Sequence, residues 1–437
     1  VIFQIDSANN SSDGQWALFD WSKLVNLMNS ATATVAGGER LHGLDALRGF
    51  ALLAGVALHL TLSWLPGAQY WYIVSEADSS HVLSGFFYWV HQFRMLTFFV
   101  IAGFFGRMLL GRLGVQAFAM DRFKRIVVPL LSAWPMVFTG IILVVVWLAL
   151  IKFGGTLPKE SPPGPKFTPD DFPLTHLWFL YVLTLCYSAM LVLRAAIALV
   201  DRRDWIVLAA DAAMRVMARP GAVVVLAAPL AFALASLAKW PMWFGIPTPD
   251  QSLYPNIAAT TAFGSAFVFG WLLHRQRDLL DHIAQVWPAN LAIAITATTT
   301  CIAIVGINPM QESPSDSWSI GSYAACYALA GWSWTLALIG LGLRHLNGFS
   351  TTRRYIADAS YWVYIVHLPI VMALQVACSL VNWAWWIEFP LALGIGMALM
   401  FGSYQLCVRH TFIGAMLNGK RLPRVKPASV QTPLVAV

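Results

Sequence analysis

Arg48 and His59 stand eleven residues apart in LDALRGFALLAGVALHL (44–60), a stretch that is otherwise almost wholly apolar. On an ideal helix, eleven residues turn through about 1100°, which returns to within about 20° of the starting face. The two side chains therefore share a face, separated along the axis by about 16 Å. Guanidinium is a permanent cation suited to bidentate phosphate contacts, and imidazole accepts a proton near neutral pH. Charge recognition at one end of a helix and proton transfer at the other is the chemistry this pair could do. Asp45 lies one turn before Arg48, within reach of an i,i+3 ion pair. The alternative is an interfacial ion pair plus a histidine bonded to a neighbouring helix, and this stretch alone leaves both open.

Other residues of the same kind interrupt apolar runs. In HQFRMLTFFVIAGFF (91–105), His91 and Arg94 are one turn apart. Arginine has no neutral form to retreat to, so Arg94 needs a polar cavity, an acid or water, unless it clamps two helices together. FAMDRFKRIVVP (118–129) carries Arg122 and Arg125 one turn apart, where membrane topology alone is a sufficient account. HLWFLYVL (176–183) opens with His176 and Trp178 at a span end, where an aromatic belt is expected anyway. YWVYIVHLP (361–369) places Tyr364 and His367 deep in a span. A charge at the bilayer centre costs about 2.5–3.5 kcal/mol, so ionisable groups there are functional candidates.

The elements that must hold these residues follow from composition. Of 437 residues, 58% are hydrophobic and 11% charged, with mean hydropathy +0.64. Soluble domains carry about 25% charged residues, so the chain reads as an all-α, polytopic membrane protein. About ten apolar runs are long enough to be spans: 44–65, 84–110, 126–151, 177–200, 221–238, 257–274, 287–307, 320–346, 357–380 and 385–408. The connections after the second, fourth, sixth and eighth runs hold the arginines, among them Arg112, Arg122, Arg125, Arg202, Arg203, Arg275, Arg277, Arg353 and Arg354. Those on the other side hold Lys152, Lys159, Lys166 and Lys239 with the acids Glu76, Asp78, Glu160, Asp170 and Asp171. By the positive-inside rule both termini are expected in the cytoplasm. Arg48, Arg122 and Arg125 then cluster toward the cytoplasm. His59, His91, Arg94 and His367 occupy the middle to outer membrane, where one polar cavity could gather them.

Residues 1–39 are expected to form a tail, partly disordered or lying on the membrane, with no recognisable cleavable signal peptide. Residues 40–410 form the membrane domain and 411–437 a basic cytoplasmic tail. The Pro-rich segment 154–173 is expected to be a connector rather than a cover for an outward-facing site. The five cysteines show no CxxC and no metal-ligand spacing, so they read as small buried residues. No metal site, P-loop, dinucleotide fingerprint or nucleic-acid signature is present in the sequence, and topology accounts for the net charge of +7.

The block RLHGLDALRGFALLAGVALHL resembles the opening motif of the acyltransferase 3 family, integral membrane enzymes of about ten helices. The resemblance continues through FFVIAGFF, RFKRIVVP and HLWFLYVL to YWVYIVHLP, in blocks between residues 40 and 410. THLWFLYVL, ASYWVYIVHLP and the late NGKRLP are most similar to members that succinylate osmoregulated periplasmic glucans. The resemblance implies a multi-pass protein of the bacterial inner membrane. It would move an acyl group from a cytoplasmic acyl-CoA to a hydroxyl of a periplasmic glucan or another extracytoplasmic carbohydrate. His59 matches the family's proposed catalytic histidine, Arg48 its paired arginine, and Arg122 with Arg125 its cytoplasmic RxxR element. Many members carry serine where this chain has Ala102, so no role for that hydroxyl carries over.

On that basis His59, with Arg48 and Asp45, is the expected catalytic set, His59 acting as general base. Arg48, Arg122 and Arg125 are expected to hold the phosphates of succinyl-CoA or acetyl-CoA, which is a substrate; no bound cofactor is expected. The spacing of about 16 Å between Arg48 and His59 is comparable to an extended pantetheine arm. His91, Arg94, His176, Trp178, Tyr364 and His367 are expected to line the cavity that meets the acceptor or stabilises the oxyanion. Direct transfer and a covalent acyl-histidine at His59 both fit the sequence. A transporter or flippase of an anionic or carbohydrate substrate would use the same residues. It predicts inverted repeats and paired broken helices, and neither is visible.

Overall fold

A computed structural model describes residues 41–67, 78–158, 164–217, 219, 221–309, 314–381 and 383–419. The expected tail over 1–39, the basic residues beyond 419, and Glu76, Lys159 and Glu160 lie outside the described residues. The described chain is helical, with no strand and a single isolated bridge between Thr168 and Asp171.

In chain order the helices are α1 (His42–Thr61), α2 (His81–Leu113), α3 (Val115–Arg122), α4 (Val128–Lys152), α5 (Trp178–Val200), α6 (Trp205–Met217) and α7 (Val223–Ala235). There follow α8 (Ile257–Leu273), α9 (Asp278–Val305), α10 (Ser317–His345), α11 (Thr351–Cys378), α12 (Trp385–Ser403) and α13 (Phe412–Asn418). A π-helical turn, Phe123–Val127, joins α3 to α4. Local chemistry sets several boundaries. Ser80, Asp316 and Ser350 cap α2, α10 and α11 by accepting a backbone N–H three residues on. Gly114 and Gly306, at φ of 75° and 77°, end α2 and α9.

Eight helical segments among the described residues are long and apolar enough to cross a membrane. Helices α7 and α8, on the fifth and sixth apolar runs, have 13 and 17 residues. They reach about 20 and 26 Å, against a hydrocarbon core of about 30 Å. The fifth run keeps its hydropathy past Ala235, but Pro241 and Gly245 turn the chain into a short 3-10 helix, Met242–Phe244.

Burial sorts the helices. In α1, α2 and α10, 72%, 61% and 67% of the most apolar window is buried, whereas in the α3–α4 segment it is 6%. The first three are therefore the interior of the bundle and α4 faces lipid. Helix α1 packs against α2, α10 and α11, and α2 also lies along α8. That last contact brings backbones together: a Cβ on Gly103 would stand 2.0 Å from the Phe267 carbonyl oxygen, and one on Gly270 1.9 Å from that of Val100. Small residues at crossings are how membrane helices gain close packing where lipid and leucine are equally apolar. No disulfide links the cysteines; only Cys301 is fully buried, and Cys407 is exposed.

Candidate active site

A cavity of about 1070 Å³ runs between α1, α2, α5 and α11. Its wall on α11 contains Arg354, Asp358, Tyr361, Tyr364, Leu368 and Met372, steps of three or four residues that keep to one helix face. From Arg354 to Met372 the axis covers about 27 Å, nearly the depth of a hydrocarbon core. Helix α1 contributes Asp45, Arg48, Leu52, Gly55 and His59 by the same periodicity, and the 3-10 turn that follows it adds Leu62. Every residue singled out in the sequence lines this one cavity: Asp45, Arg48, His59, His91, Arg94, Arg122, Arg125, His176, Trp178, Tyr364 and His367.

One end is rich in arginine. Arg48 contacts Asp45 at 3.5 Å and donates to the Ala357 carbonyl oxygen at 3.1 Å. Asp121 bridges the RxxR pair: one carboxylate oxygen meets Arg122 and the other Arg125 Nε at 2.9 Å. Arg122 also lies over the Tyr187 ring, 5.6 Å from its centroid. Arg125 belongs to the π-helical turn, and the Tyr361 hydroxyl donates to its carbonyl oxygen at 2.6 Å. Single π turns inside helices recur at functional sites because they re-aim side chains that a regular helix would point elsewhere. Arg112 and the Arg354–Asp358 pair, 3.1 Å apart, complete this end, and Leu417 and Asn418 of α13 close against it.

The other end holds imidazoles. The His59 and His367 rings lie 5.2 Å apart between centroids, and His367 and His176 4.7 Å. His367 Nδ1 donates to the Tyr364 carbonyl oxygen at 2.7 Å, leaving Nε2 as the acceptor nitrogen of the neutral ring. His176 Nε2 donates to the Ile365 carbonyl oxygen at 3.1 Å, and its backbone carbonyl accepts from the Tyr364 hydroxyl at 2.7 Å. Among the described residues neither His59 ring nitrogen has a hydrogen-bond partner, while its carbonyl accepts from Gln375 Nε2 at 3.0 Å. His91 stacks on Phe87, and its Nδ1 lies 3.5 Å from the Tyr327 hydroxyl. Trp178 reaches the wall but stacks on Phe263, so it serves packing as well.

Arg94 projects between the two ends. It lies across Gly55, where an added Cβ would stand 2.4 Å from its Nη1. Among the described residues no carboxylate lies within 4.0 Å of it, and its buried Nε has no partner. Of the environments that could accommodate an intramembrane arginine, it has the polar cavity and not a paired acid.

Sequence reasoning missed Asp121, Arg112, Arg354 and Asp358 as cavity-end residues, and missed Thr175, Thr248, Asp250 and Gln251 at the histidine end. Of these, Arg112 and Arg354 read in the sequence as topological charges, while Asp121 and Asp358 give no signal of their own there. Pro169 and Phe172 of the Pro-rich segment, and Thr175 just beyond it, bond the backbone of 250–253.

The sequence matches the acyltransferase domain of acyltransferase 3 proteins over residues 41–405. The chain belongs to this family. It is similar to glucans biosynthesis protein C of Shigella boydii serotype 4 and of Escherichia coli K12, at 24% identity over 410 residues, 90% of this chain and 98% of each relative. No solved structure matches it. The protein is thus a multi-pass membrane acyltransferase, which sets the transporter alternative aside.

Proposed function

We propose that this protein moves an acyl group from an acyl-CoA, held at the arginine end, to a hydroxyl of an extracytoplasmic glucan at the histidine end. The observation that carries the proposal is the continuity of one cavity, along a single face of α1, from Arg48 to His59. Phosphates suit the arginines, the pantetheine arm suits the passage of about 16 Å between them, and the thioester then lies beside His59. Both termini lie in the cytoplasm on this reading, and the membrane is the bacterial inner membrane. The names of the relatives support the glucan acceptor.

In the transfer, His59 takes the proton of the acceptor hydroxyl as its oxygen attacks the thioester carbonyl. The C–O bond forms, and the negative charge gathering on the carbonyl oxygen is met by the His91 N–H. The intermediate then collapses, the C–S bond breaks, and the coenzyme A thiolate receives the proton from His59. Products are a glucan ester and free coenzyme A. His59 suits the role because, among the described residues, neither of its ring nitrogens is engaged, so one is free to take the proton of the acceptor hydroxyl. Arg48 and Asp45 hold the donor end in register rather than touch the reacting atoms. Of the two acyl groups considered, succinyl is favoured over acetyl, because Arg94 supplies an unpaired cation for its free carboxylate.

The test is transfer of labelled succinyl and acetyl groups to periplasmic-type glucans by membranes containing wild-type protein or His59→Ala. Loss of a general base costs typically about 10²–10⁴-fold. A correctly inserted His59→Ala protein that acylates at the wild-type rate overturns the base assignment. A stable acyl-protein trapped on His59 would replace direct transfer by an acyl-histidine step.

A further inference from the structure

The histidine end of the cavity has a second polar wall, built by the segments 164–177 and 237–256. Thr175 N donates to the Asp250 carbonyl oxygen at 3.2 Å, and the next residue, His176, begins the ring series that leads through His367 to His59. From the other side Phe244 meets Phe87 edge-on at 6.0 Å, and Phe87 stacks on His91. Thr175, Phe244, Thr248, Asp250 and Gln251 all line the cavity. Two independent runs of contact therefore bring these residues to the imidazoles.

The wall is held before any ligand arrives. The Tyr323 hydroxyl donates to the Met242 carbonyl oxygen at 2.6 Å, and Asn256 Nδ2 to that of Pro247 at 2.9 Å. Gln251 and Pro169 carbonyl oxygens accept from Phe172 N and Leu253 N at 3.0 and 2.8 Å. Thr175 adopts φ of 54°, a left-handed conformation rarely taken by β-branched residues, and its buried Oγ1 has no partner. Strain of this kind persists where surroundings over-determine it, commonly beside ligand sites.

Asp250 gives the wall its chemical sense. Its carboxylate accepts from Thr248 Oγ1 at 3.0 Å and Gln251 Nε2 at 3.4 Å, and among the described residues no cation pairs with it. A carboxylate has capacity for about four hydrogen bonds, so acceptor positions remain for hydroxyl donors. The same charge repels an anionic ligand and leaves phosphates to the arginine end. Phe244 adds an apolar face of the kind on which the C–H face of a sugar ring can lie.

We propose that these five residues form the acceptor subsite, and that it takes an uncharged polyhydroxyl chain, a neutral glycan, in preference to an acidic one. Asp250 accepts from ring hydroxyls and orients the one presented to His59. This deepens the transfer reaction proposed above and rests on it for the identity of the reacting partner.

The experiment uses the purified full-length protein in nanodiscs, with neutral glucose oligomers and uronic-acid-containing oligomers as probes. Binding is followed by tryptophan fluorescence without donor, and transfer by succinyl-CoA consumption. Wild type should bind the neutral oligomers more tightly than the acidic ones. The isosteric Asp250→Asn should weaken neutral binding about tenfold or more and raise the acceptor KM in parallel, with the donor KM unchanged. It should also narrow the neutral-over-acidic preference. Phe244→Leu should weaken both probes alike, and an unchanged donor KM shows that each variant is folded. If wild type transfers but Asp250→Asn leaves acceptor binding, KM and preference within twofold, the subsite is wrong and the function stands. If wild type binds neutral oligomers through Asp250 yet transfers nothing, the function is wrong and the subsite stands. Absence of both saturable binding and transfer overturns both.

Discussion

The two ends of the cavity handle their charges in opposite ways. At the arginine end the guanidiniums of Arg48, Arg122, Arg125 and Arg354 each contact an aspartate: Asp45, Asp121 for both members of the RxxR pair, and Asp358. Toward the histidine end, among the described residues, Arg94 has no acid within 4.0 Å and Asp250 has no cation. A paired cluster stays in place with or without ligand, because each of these four guanidiniums already has a carboxylate beside it, while the surplus of cations over acids remains for a phosphate. Unpaired groups lose solvation without compensation, so they gain most when a ligand of the right charge arrives. The difference teaches that the arginine end is suited to docking a donor that comes and goes, while discrimination belongs to the unpaired residues farther in.

The sharpest way to break this contrast is to remove the unpaired cation. Arg94→Gln should lower kcat/KM for succinyl-CoA about 100-fold or more, since a buried charge pair missing one partner costs about 3–5 kcal/mol. Acetyl-CoA, with no carboxylate to lose, should fall by less than about tenfold. Steady-state rates with both donors decide it. Equal losses would mean that Arg94 serves the oxyanion, common to both donors, and not the acyl carboxylate. Gly55→Ala should reproduce part of the selectivity change without touching the charge, because the new Cβ would displace the guanidinium.

The paired end should respond more weakly and to different variables. Arg125→Ala is expected to raise the donor KM about tenfold and leave the acceptor KM alone, as loss of one charge-assisted contact of about 1.5 kcal/mol would. The Arg125 side chain is 33% exposed, so added salt should raise the wild-type donor KM. The succinyl-over-acetyl preference, set deeper in the membrane, should hold across the same salt series. A preference that collapses with salt would erase the distinction between the ends.

How far the sequence announced this site depends on the range of the interactions involved. Arg48 and His59 were legible because helical periodicity is local: eleven residues fix their common face whatever surrounds them. Arg94 was legible as a cost, since an arginine in an apolar run demands an explanation, but its lack of an acid is a property of three dimensions. Asp121 stood next to Arg122 and four residues before Arg125, an ordinary helical ion-pair spacing that the basic signal around it obscured. Asp250 and Thr175 were invisible for a stronger reason: they lie in irregular segments 75 residues apart, joined by a backbone hydrogen bond that no periodicity encodes. The all-α membrane fold was readable from hydropathy alone. The fifth and sixth apolar runs, 18 residues each, were also the shortest, and α7 and α8 trim them to 13 and 17 residues.

The smallest expected effect belongs to a charge pair outside the cavity. Asp211 of α6 receives Arg275 Nε and Nη2 at 2.9 Å each and ties that helix to the end of α8. It resembles the arginine-end pairs in form but does not line the cavity between α1 and α11, so it isolates what such pairing contributes to stability alone. The hydrogen bonds from Arg275 hold the Asp211 carboxyl below its ordinary value. A carboxyl depressed in the folded state stabilises the fold above its unfolded pKa, and that contribution disappears as pH falls through the folded value. Partial exposure limits the gain, so Asp211→Asn should cost about 0.5–1 kcal/mol at pH 7. Thermal unfolding in detergent should show the wild-type advantage shrinking steadily below about pH 4, with donor and acceptor KM unchanged throughout. A variant whose donor KM rises as it does in Arg125→Ala would show that charges outside the cavity also set donor affinity, and the contrast between docking and discriminating residues would have to be redrawn to include them.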